Sequence, residues 1–270
     1  MSLFPQHTVV VRGGGDLATG VVARLHRAGF PLVVLELANP LAIRRTVSVA
    51  RAVQEGSAVI EDLTAVRVDT PASALEAAAA GSIPVLVSDR LPRFPEGIAV
   101  LVDARVAKAV LDTTIDQAPM VVALGPGFEA GVDCHAVIET MRGHRLGKAL
   151  WSGSAAPNTG VPGRVGGKTA ERVVRSAGSG AIVWRVDIGD LVAKGQTIGT
   201  LAGDPIVASL DGVVRGLIDA ARTAVPGLKI ADIDPRADPD ACFEISDKAL
   251  AVGGGALEAI LVWLNGNRPG

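Results

Sequence analysis

Over the first 125 residues, short uninterrupted runs of hydrophobic positions alternate with mixed polar and apolar segments. The runs are 8–12 (TVVVR), 32–37 (LVVLEL), 84–88 (PVLVS), 98–103 (IAVLVD) and 120–124 (MVVAL). A strand exposed on one face alternates apolar and polar positions, whereas a strand covered on both faces does not. These runs therefore predict buried parallel strands. Between them, helices are expected at 18–28, 41–55, 71–80 and 104–111. Strands interleaved with helices make βαβ units, so this half predicts an α/β, Rossmann-like parallel-sheet domain.

The pattern changes after residue 130. Residues 133–151 contain His135, Glu139 and Arg142 at helical spacing, but Gly143 and Gly147 punctuate short segments, which favours a hairpin turning at RGHRLG. Residues 151–167 are dense in Gly, Ser, Pro and Asn, and read as a functional loop or a domain boundary. From 179 to 218 short strands and tight turns follow with no helical period, and residues 246–264 predict a helix after a break at Gly253–Gly255. The expected domains are 1–165, an all-β unit at 166–236 and a helical tail at 237–270.

The polar residues that follow the strands carry the candidate chemistry. In open α/β sheets, ligands bind outside the carboxyl ends of the strands. That edge would receive Asp16, Glu36, Asn39, Asp89, Arg90, Asp103, Arg105 and a second glycine-rich turn holding Gly125 and Gly127. Within VRGGGDLATG, Gly13, Gly15 and Ala18 fit G-x-G-x-x-A, with Gly14 between the two glycines. Such a bend lets backbone approach a pyrophosphate, and the helix it opens presents N–H groups and a positive dipole end. Glu36, about 20 residues on, stands where a ribose hydroxyl is accepted. Arg12 and Asp16 are atypical neighbours, and a tight structural turn is the competing reading. Arg44 and Arg45 could pair phosphate bidentately or start a solvated helix.

Other motifs are weaker. VGGKT at 165–169 is not a P-loop, because Pro162 occupies the required glycine and strand rather than helix is expected after it. Asp133, His135, Glu139 and His144 match no metal spacing, so no metal is expected. Cys134 beside His135 could accept sulfur or selenium, but a buried apolar thiol is the plainer role. No residue is assigned a catalytic role.

Bulk properties narrow the classes. The 270 residues carry 26 basic and 28 acidic side chains and 3% aromatics with no Tyr, which argues against nucleic acid as a partner. Two distant cysteines make no disulfide framework. Neither a basic-then-apolar leader nor an 18-residue apolar run is present, so a cytoplasmic protein without membrane contact is expected.

The strings VRGGGDLATGVVARLHRAGF, LAIRRTVSVARAVQEG, LGPGFEAGVDCHAVIETMRGHRLG and GSAAPNTGVPG resemble, in the same order, the YqeB-type accessory proteins of selenium-dependent molybdenum hydroxylase systems. The resemblance implies a role in maturing a molybdenum hydroxylase client, and it supplies no catalytic residues. Residues 180–218 separately resemble a biotinyl/lipoyl-like barrel-sandwich, through GDLVAKGQTIGTL and VASLDGVVRGL. The hairpin between those halves, LAGDPIV, lacks the carrier lysine, and Lys194 precedes it, so no covalent biotin or lipoate is expected. Three readings follow. The first is a maturation factor holding a nucleotide-bearing ligand at the sheet edge, the dinucleotide form of the molybdenum cofactor or NAD(P). The second is an NAD(P)-dependent oxidoreductase with Asp103, His135 or His144 as proton donor. The third is a noncatalytic scaffold. A homo-oligomer is compatible with each.

Overall fold

The computed structural model describes residues 3–160, 163 and 165–266; Pro162, invoked above against a P-loop, lies outside them. The chain divides into two compact units. The first comprises Met1–Pro40, Ser48–Thr159 and Ile245–Gly270, and the second Leu41–Val47 and Gly160–Glu244. The segment Leu41–Val47 is thus part of the second unit, and the tail helix is part of the first.

The first unit is built on β1 (Val9–Arg12), α1 (Asp16–Arg27), β2 (Leu32–Glu36), α2 (Ala52–Glu55), β3 (Ser57–Ile60), β4 (Leu63–Val68), α3 (Pro71–Ala79), β5 (Ile83–Val87), β6 (Val100–Asp103) and β7 (Met120–Leu124). β8 (Glu129–Ala130), β9 (Ala136–Ile138), β10 (Ala149–Leu150), β11 (Gly153–Ser154) and α4 (Asp247–Leu264) complete it. Nine strands form one sheet in the order β10-β9-β7-β6-β1-β2-β5-β4-β3. All neighbours from β9 through β4 run parallel, and only the two outer pairs, β10–β9 and β4–β3, are antiparallel. Every residue of β1, β6 and β7 is buried, as the continuous hydrophobic runs require. Successive side chains point to opposite faces. Val10, Val33, Leu101 and Val121 accordingly pack with Ala74 and Ala78 of α3, while α1 and α4 cover the other face.

Three expectations change, and one element was not expected at all. Residues 104–111 form no helix: Val106 and Lys108 adopt left-handed backbone (φ 51° and 66°), and the chain folds back along the strand ends. Residues 41–55 are not one helix either: Leu41–Val47 belongs to the second unit, where the Ile43 carbonyl accepts the Leu217 N–H at 2.9 Å and Arg45–Val47 makes a single 3-10 turn, and only a further short turn and α2 follow. The β3–β4 hairpin went unpredicted, although Ala58, Ile60, Leu63 and Ala65 show its inward alternation around Glu61 and Asp62. Finally, α4 runs unbroken through Gly253–Gly255. Those glycines mark close packing instead. A Cβ on Gly253 would stand 2.2 Å from the Gly20 carbonyl, one on Gly20 would stand 2.1 Å from that of Ala249, and one on Gly255 would stand 1.9 Å from that of Gly147. The hairpin expected at RGHRLG is present as β9 and β10.

The second unit holds β12 (Val173–Arg175), β13 (Ile182–Trp184), β14 (Leu191–Val192), β15 (Thr197–Leu201), β16 (Asp204–Val207), β17 (Gly212–Leu217) and β18 (Lys229–Asp234). They make two antiparallel sheets, β12-β18-β17-β14 and β13-β15-β16, around a core that includes Ile198, Val214, Leu217, Ile230 and Ile233. Among the described residues the expected barrel is not closed.

The helix contact makes a paired prediction. Gly253→Ala overpacks the α1–α4 crossing and lowers unfolding free energy by about 3 kcal/mol. Gly254→Ala, whose Cβ meets nothing within 4 Å, raises it by up to about 1 kcal/mol. Urea denaturation of both variants checks the pair, and equal effects would contradict this packing.

Candidate functional site

The carboxyl edge of the parallel sheet is the polar centre of the first unit. The chain passes from β1 to β2 on one side of β1, and later returns from β5 to β6 on its other side, so β1 and β6 flank the point where strand order reverses. There Arg12 ends β1 directly opposite Asp103, which ends β6. Both are buried, at 2% and 1% exposure. Two ions of that kind are held only if paired and hydrogen-bonded. Asp103 accepts from Arg105 Nε (3.1 Å) and Nη2 (2.5 Å) and from the Thr113 hydroxyl (2.7 Å). Arg12 donates to the Thr113 hydroxyl (3.0 Å) and to Asp112 (2.6 Å). Asp112 also receives Arg105 Nη1 at 2.7 Å, so its carboxylate bridges two guanidiniums. Partial burial pushes the Asp112 carboxyl up, but the two arginines outweigh it and hold the group below its usual range.

The triple-glycine bend lies beside this network. Gly13 takes a left-handed turn (φ 96°) where a Cβ would press on the Ala104 carbonyl at 3.2 Å. Its N–H donates to the Leu35 carbonyl (2.8 Å). The Gly14 N–H donates to Glu36 Oε2 (2.7 Å), and the Gly14 carbonyl accepts from Ala50 N–H (2.9 Å). The other Glu36 oxygen accepts from the Leu37 N–H at 2.7 Å. Burial raises the Glu36 carboxyl above its ordinary range, and these two amides work against that rise. Glu36 thus clamps the bend, while each oxygen keeps a second lone pair for another donor.

Gly15 differs from its neighbours. It caps α1 in extended backbone (φ −68°, ψ −178°), and a Cβ built on it meets no atom within 4 Å. The first intrahelical bond runs from the Thr19 N–H to the Gly15 carbonyl, so the N–H groups of Gly15 to Ala18 precede the ladder. Thr19, fully buried, accepts the Val49 N–H at its hydroxyl and fixes the loop that covers Gly14. Gly125 and Gly127 (φ 76° and 106°) lie at the end of β7, on the same edge. A Cβ on Gly127 would stand 2.6 Å from Ala109 N, so this turn holds the 104–111 segment close.

The candidate residues therefore separate into groups. Gly13–Gly15, Asp16, Glu36, Asp103, Arg105, Gly125 and Gly127 share the strand-end edge. Arg44 and Arg45 belong to the second unit, where Arg45 Nε donates to the Leu217 carbonyl at 3.0 Å. Sequence reading missed Asp112 and Thr113, which pair with Arg12 across about 100 positions and carry no local signal. The hairpin residues serve structure: His135 Nδ1 accepts the Val121 N–H (2.9 Å), and buried Glu139 accepts from Met141 and Ala156 N–H groups (2.7 and 2.8 Å). Burial, then the Asp133 and Asp103 charges, push the Cys134 thiol up to about 12, which disfavours its thiolate. Among the described residues no group of three or more His, Cys, Asp or Glu could hold a metal, and no helix is long and apolar enough to cross a membrane.

Comparison with known proteins adds one close relative. No family model matches the chain. It is 45% identical over 258 residues, 95% of its length, to "Uncharacterized protein YqeB" of Escherichia coli (strain K12), and it spans 48% of that protein. The chain is thus about half the length of the curated relative it matches. A solved structure, "TcdA (CsdL)", aligns over 97% of this chain and 90% of its own at 12% identity, with a TM-score of 0.28, too low to place the two in one fold.

Two predictions come from this geometry. Asp103→Ala leaves the Arg105 guanidinium and the buried Thr113 hydroxyl without their acceptor and costs about 3–5 kcal/mol of stability. Asp112→Ala costs less, because the Asp112 side chain is 43% exposed. Thermal and urea melts rank the two, and the reverse order would contradict the network. For Glu36 the folded value lies above the unfolded one near 4.5, so the folded state binds the proton more tightly. Wild-type stability relative to Glu36→Gln therefore falls as pH rises from 4.5 through the raised value. A relative stability that rises over that interval would show the carboxylate is not penalised by burial.

Proposed function

We propose that this chain is an accessory factor that holds a pyrophosphate-linked, nucleotide-bearing ligand at the carboxyl edge of the parallel sheet. The observation that carries the reading is the open space at Gly15, at the start of a twelve-residue helix beside the strand-order reversal. Anions bind at such helix starts through backbone N–H groups and the dipole. The six strands β5-β2-β1-β6-β7-β9, numbered along the chain, run 3-2-1-4-5-6, the order of Rossmann dinucleotide-binding sheets. In this reading Gly15 and the first turn of α1 face the pyrophosphate. Glu36 accepts a ribose hydroxyl with its remaining lone pair, and Arg105 stands by for a further negative charge.

The geometry also narrows the fit. The Gly13 and Gly14 amides are already engaged, so the ligand's oxygens would meet Gly15 and the residues after it rather than the whole bend. The dinucleotide form of the molybdenum cofactor and NAD(P) share the pyrophosphate core that such a site reads. The sequence resemblance to accessory proteins of molybdenum hydroxylase systems favours the former and supplies the client enzyme as partner. The second unit is then a docking module of biotinyl/lipoyl-like type without a carrier role, its β15–β16 turn being Ala202-Gly203. For the oxidoreductase alternative, Asp103 is tied to Arg105 and Thr113 and His135 Nδ1 to the backbone, which leaves the exposed His144 of the three candidate donors.

Gly15→Val tests this, because the backbone there suits any residue and the new Cβ meets no protein atom within 4 Å. Calorimetric titration with the cofactor dinucleotide, NAD(P) and mononucleotides should show a pyrophosphate-linked ligand binding wild type. Gly15→Val should weaken it at least about tenfold, or 1.4 kcal/mol, with an unchanged melting temperature. No binding by any such ligand, or binding that ignores Gly15→Val, would overturn the proposal.

A further inference from the structure

In the network at the strand ends, two guanidiniums, Arg12 and Arg105, meet two carboxylates, Asp103 and Asp112. The two acids are held differently. Asp103 ends β6, is buried, and accepts from the Arg105 side chain, the Arg105 N–H (3.1 Å) and the Thr113 hydroxyl. Asp112 sits on the loop that follows β6, and its side chain is 43% exposed. Each of its oxygens takes one guanidinium, Oδ2 from Arg12 Nη2 at 2.6 Å and Oδ1 from Arg105 Nη1 at 2.7 Å. The Arg12 and Arg105 side chains are 2% and 20% exposed, so Asp112 is the member of the group that faces water. Without it, two guanidiniums would share one carboxylate.

The loop that carries Asp112 gains little from its present path. Residues 104–114 run from β6 to the Ile115–Gln117 turn as irregular chain. Val106 and Lys108 take left-handed backbone, which is most strained for a β-branched residue. Val110 and Leu111 stay exposed, so little apolar surface is buried in return. Asp112 and Thr113 tie the end of the loop to the two arginines, and the Gln117 amide donates to the Asp112 carbonyl at 2.8 Å. Segments with few buried apolar contacts open at low cost. A half-exposed carboxylate also loses little on leaving an arginine, because water takes the guanidinium's place. Asp103 has no such exit, since its release would leave a buried charge unpaired.

We propose that Asp112 is a built-in competitor for a phosphate of the ligand: it occupies the Arg12–Arg105 pair in the free protein and gives the pair up when that phosphate enters. The proposal deepens the function given above and rests on it in one respect, that a phosphate-bearing ligand reaches this edge. Two guanidinium N–H groups already aimed at one oxyanion suit a phosphate as well as a carboxylate. Room for the larger anion comes from the departing carboxylate and its loop, so residues 106–112 loosen as the phosphate binds. Arg12, atypical beside a glycine bend, thereby has a role at the site as well as in the core. Occupancy of the strand-end edge is coupled to the state of an exposed loop, which a partner protein can read.

Calorimetric titration of the full chain with inorganic pyrophosphate and with ADP tests it. Asp112→Asn should bind about tenfold tighter than wild type, and the gain should vanish in an Arg105→Gln background. Asp204→Asn, the same charge change at an exposed position of the second unit, should leave affinity unaltered. A second readout needs no variant: tryptic cleavage at Lys108–Ala109, followed by mass spectrometry. Saturating pyrophosphate should speed that cleavage in wild type, and Asp112→Asn should be cut fast without it. Affinity in Asp112→Asn at or below wild type, an equal gain in Asp204→Asn, or cleavage slowed by pyrophosphate would overturn the proposal. Three patterns separate it from the reading given to Gly15. Binding by neither wild type nor Asp112→Asn removes both. A gain in Asp112→Asn that survives Gly15→Val supports the competitor and removes the role of Gly15. Gly15-dependent binding with no gain in Asp112→Asn removes only the competitor.

Discussion

The buried pairing of Arg12 with Asp103's network is the constraint on which the first unit turns. Adjacent parallel strands bring a guanidinium and a carboxylate together at the point where strand order reverses. Neither can be buried there alone. Thr113 and Arg105 complete the hydrogen bonding around Asp103, and Asp112 answers the remaining charge of Arg12. The loop from Ala104 to Thr113 is therefore held in a strained path, with Val106 and Lys108 in left-handed backbone, because its end must return to the strand ends. The network both closes part of the crevice and fixes the bend beside it.

Glycines divide into two kinds around that centre. Gly14, Gly20, Gly253 and Gly255 are places where backbone meets backbone, and any side chain would collide. They bring the Ser48–Arg51 turn onto the bend, and α4 onto α1 and the β9–β10 connection. Gly15 alone of the triple-glycine bend faces open space. The protein thus packs every side of its bend except the one that opens onto the helix start, which is where an anion would be read.

Local patterns made much of the framework legible. Buried parallel strands are continuous hydrophobic runs, so β1, β2, β5, β6 and β7 stand out, and a strand-to-helix glycine bend announces α1. Long-range closure was not legible. Arg12 finds Asp112 and Thr113 far along the chain, and nothing near 112 marks them as partners. The same blindness applies to Leu41–Val47, whose basic, helix-compatible sequence gives no hint that it pairs with β17. The Gly253–Gly255 run reads as a break because intrinsic propensity disfavours glycine in helices. Tertiary contact overrides it, since only glycine lets two helices approach so closely. At the candidate site, the glycines and Glu36 were visible, but the use of Glu36 as a clamp on Gly14 was not.

Native-state hydrogen exchange with and without a pyrophosphate-linked dinucleotide probes the proposed anion site at the start of α1 most directly. The N–H groups of Gly15 to Ala18 precede the α1 ladder and should exchange quickly in the free protein. Ligand should slow exchange at those amides and leave the interior of α1 unaltered. Saturating ligand that protects other segments while these four amides exchange as before would contradict the account.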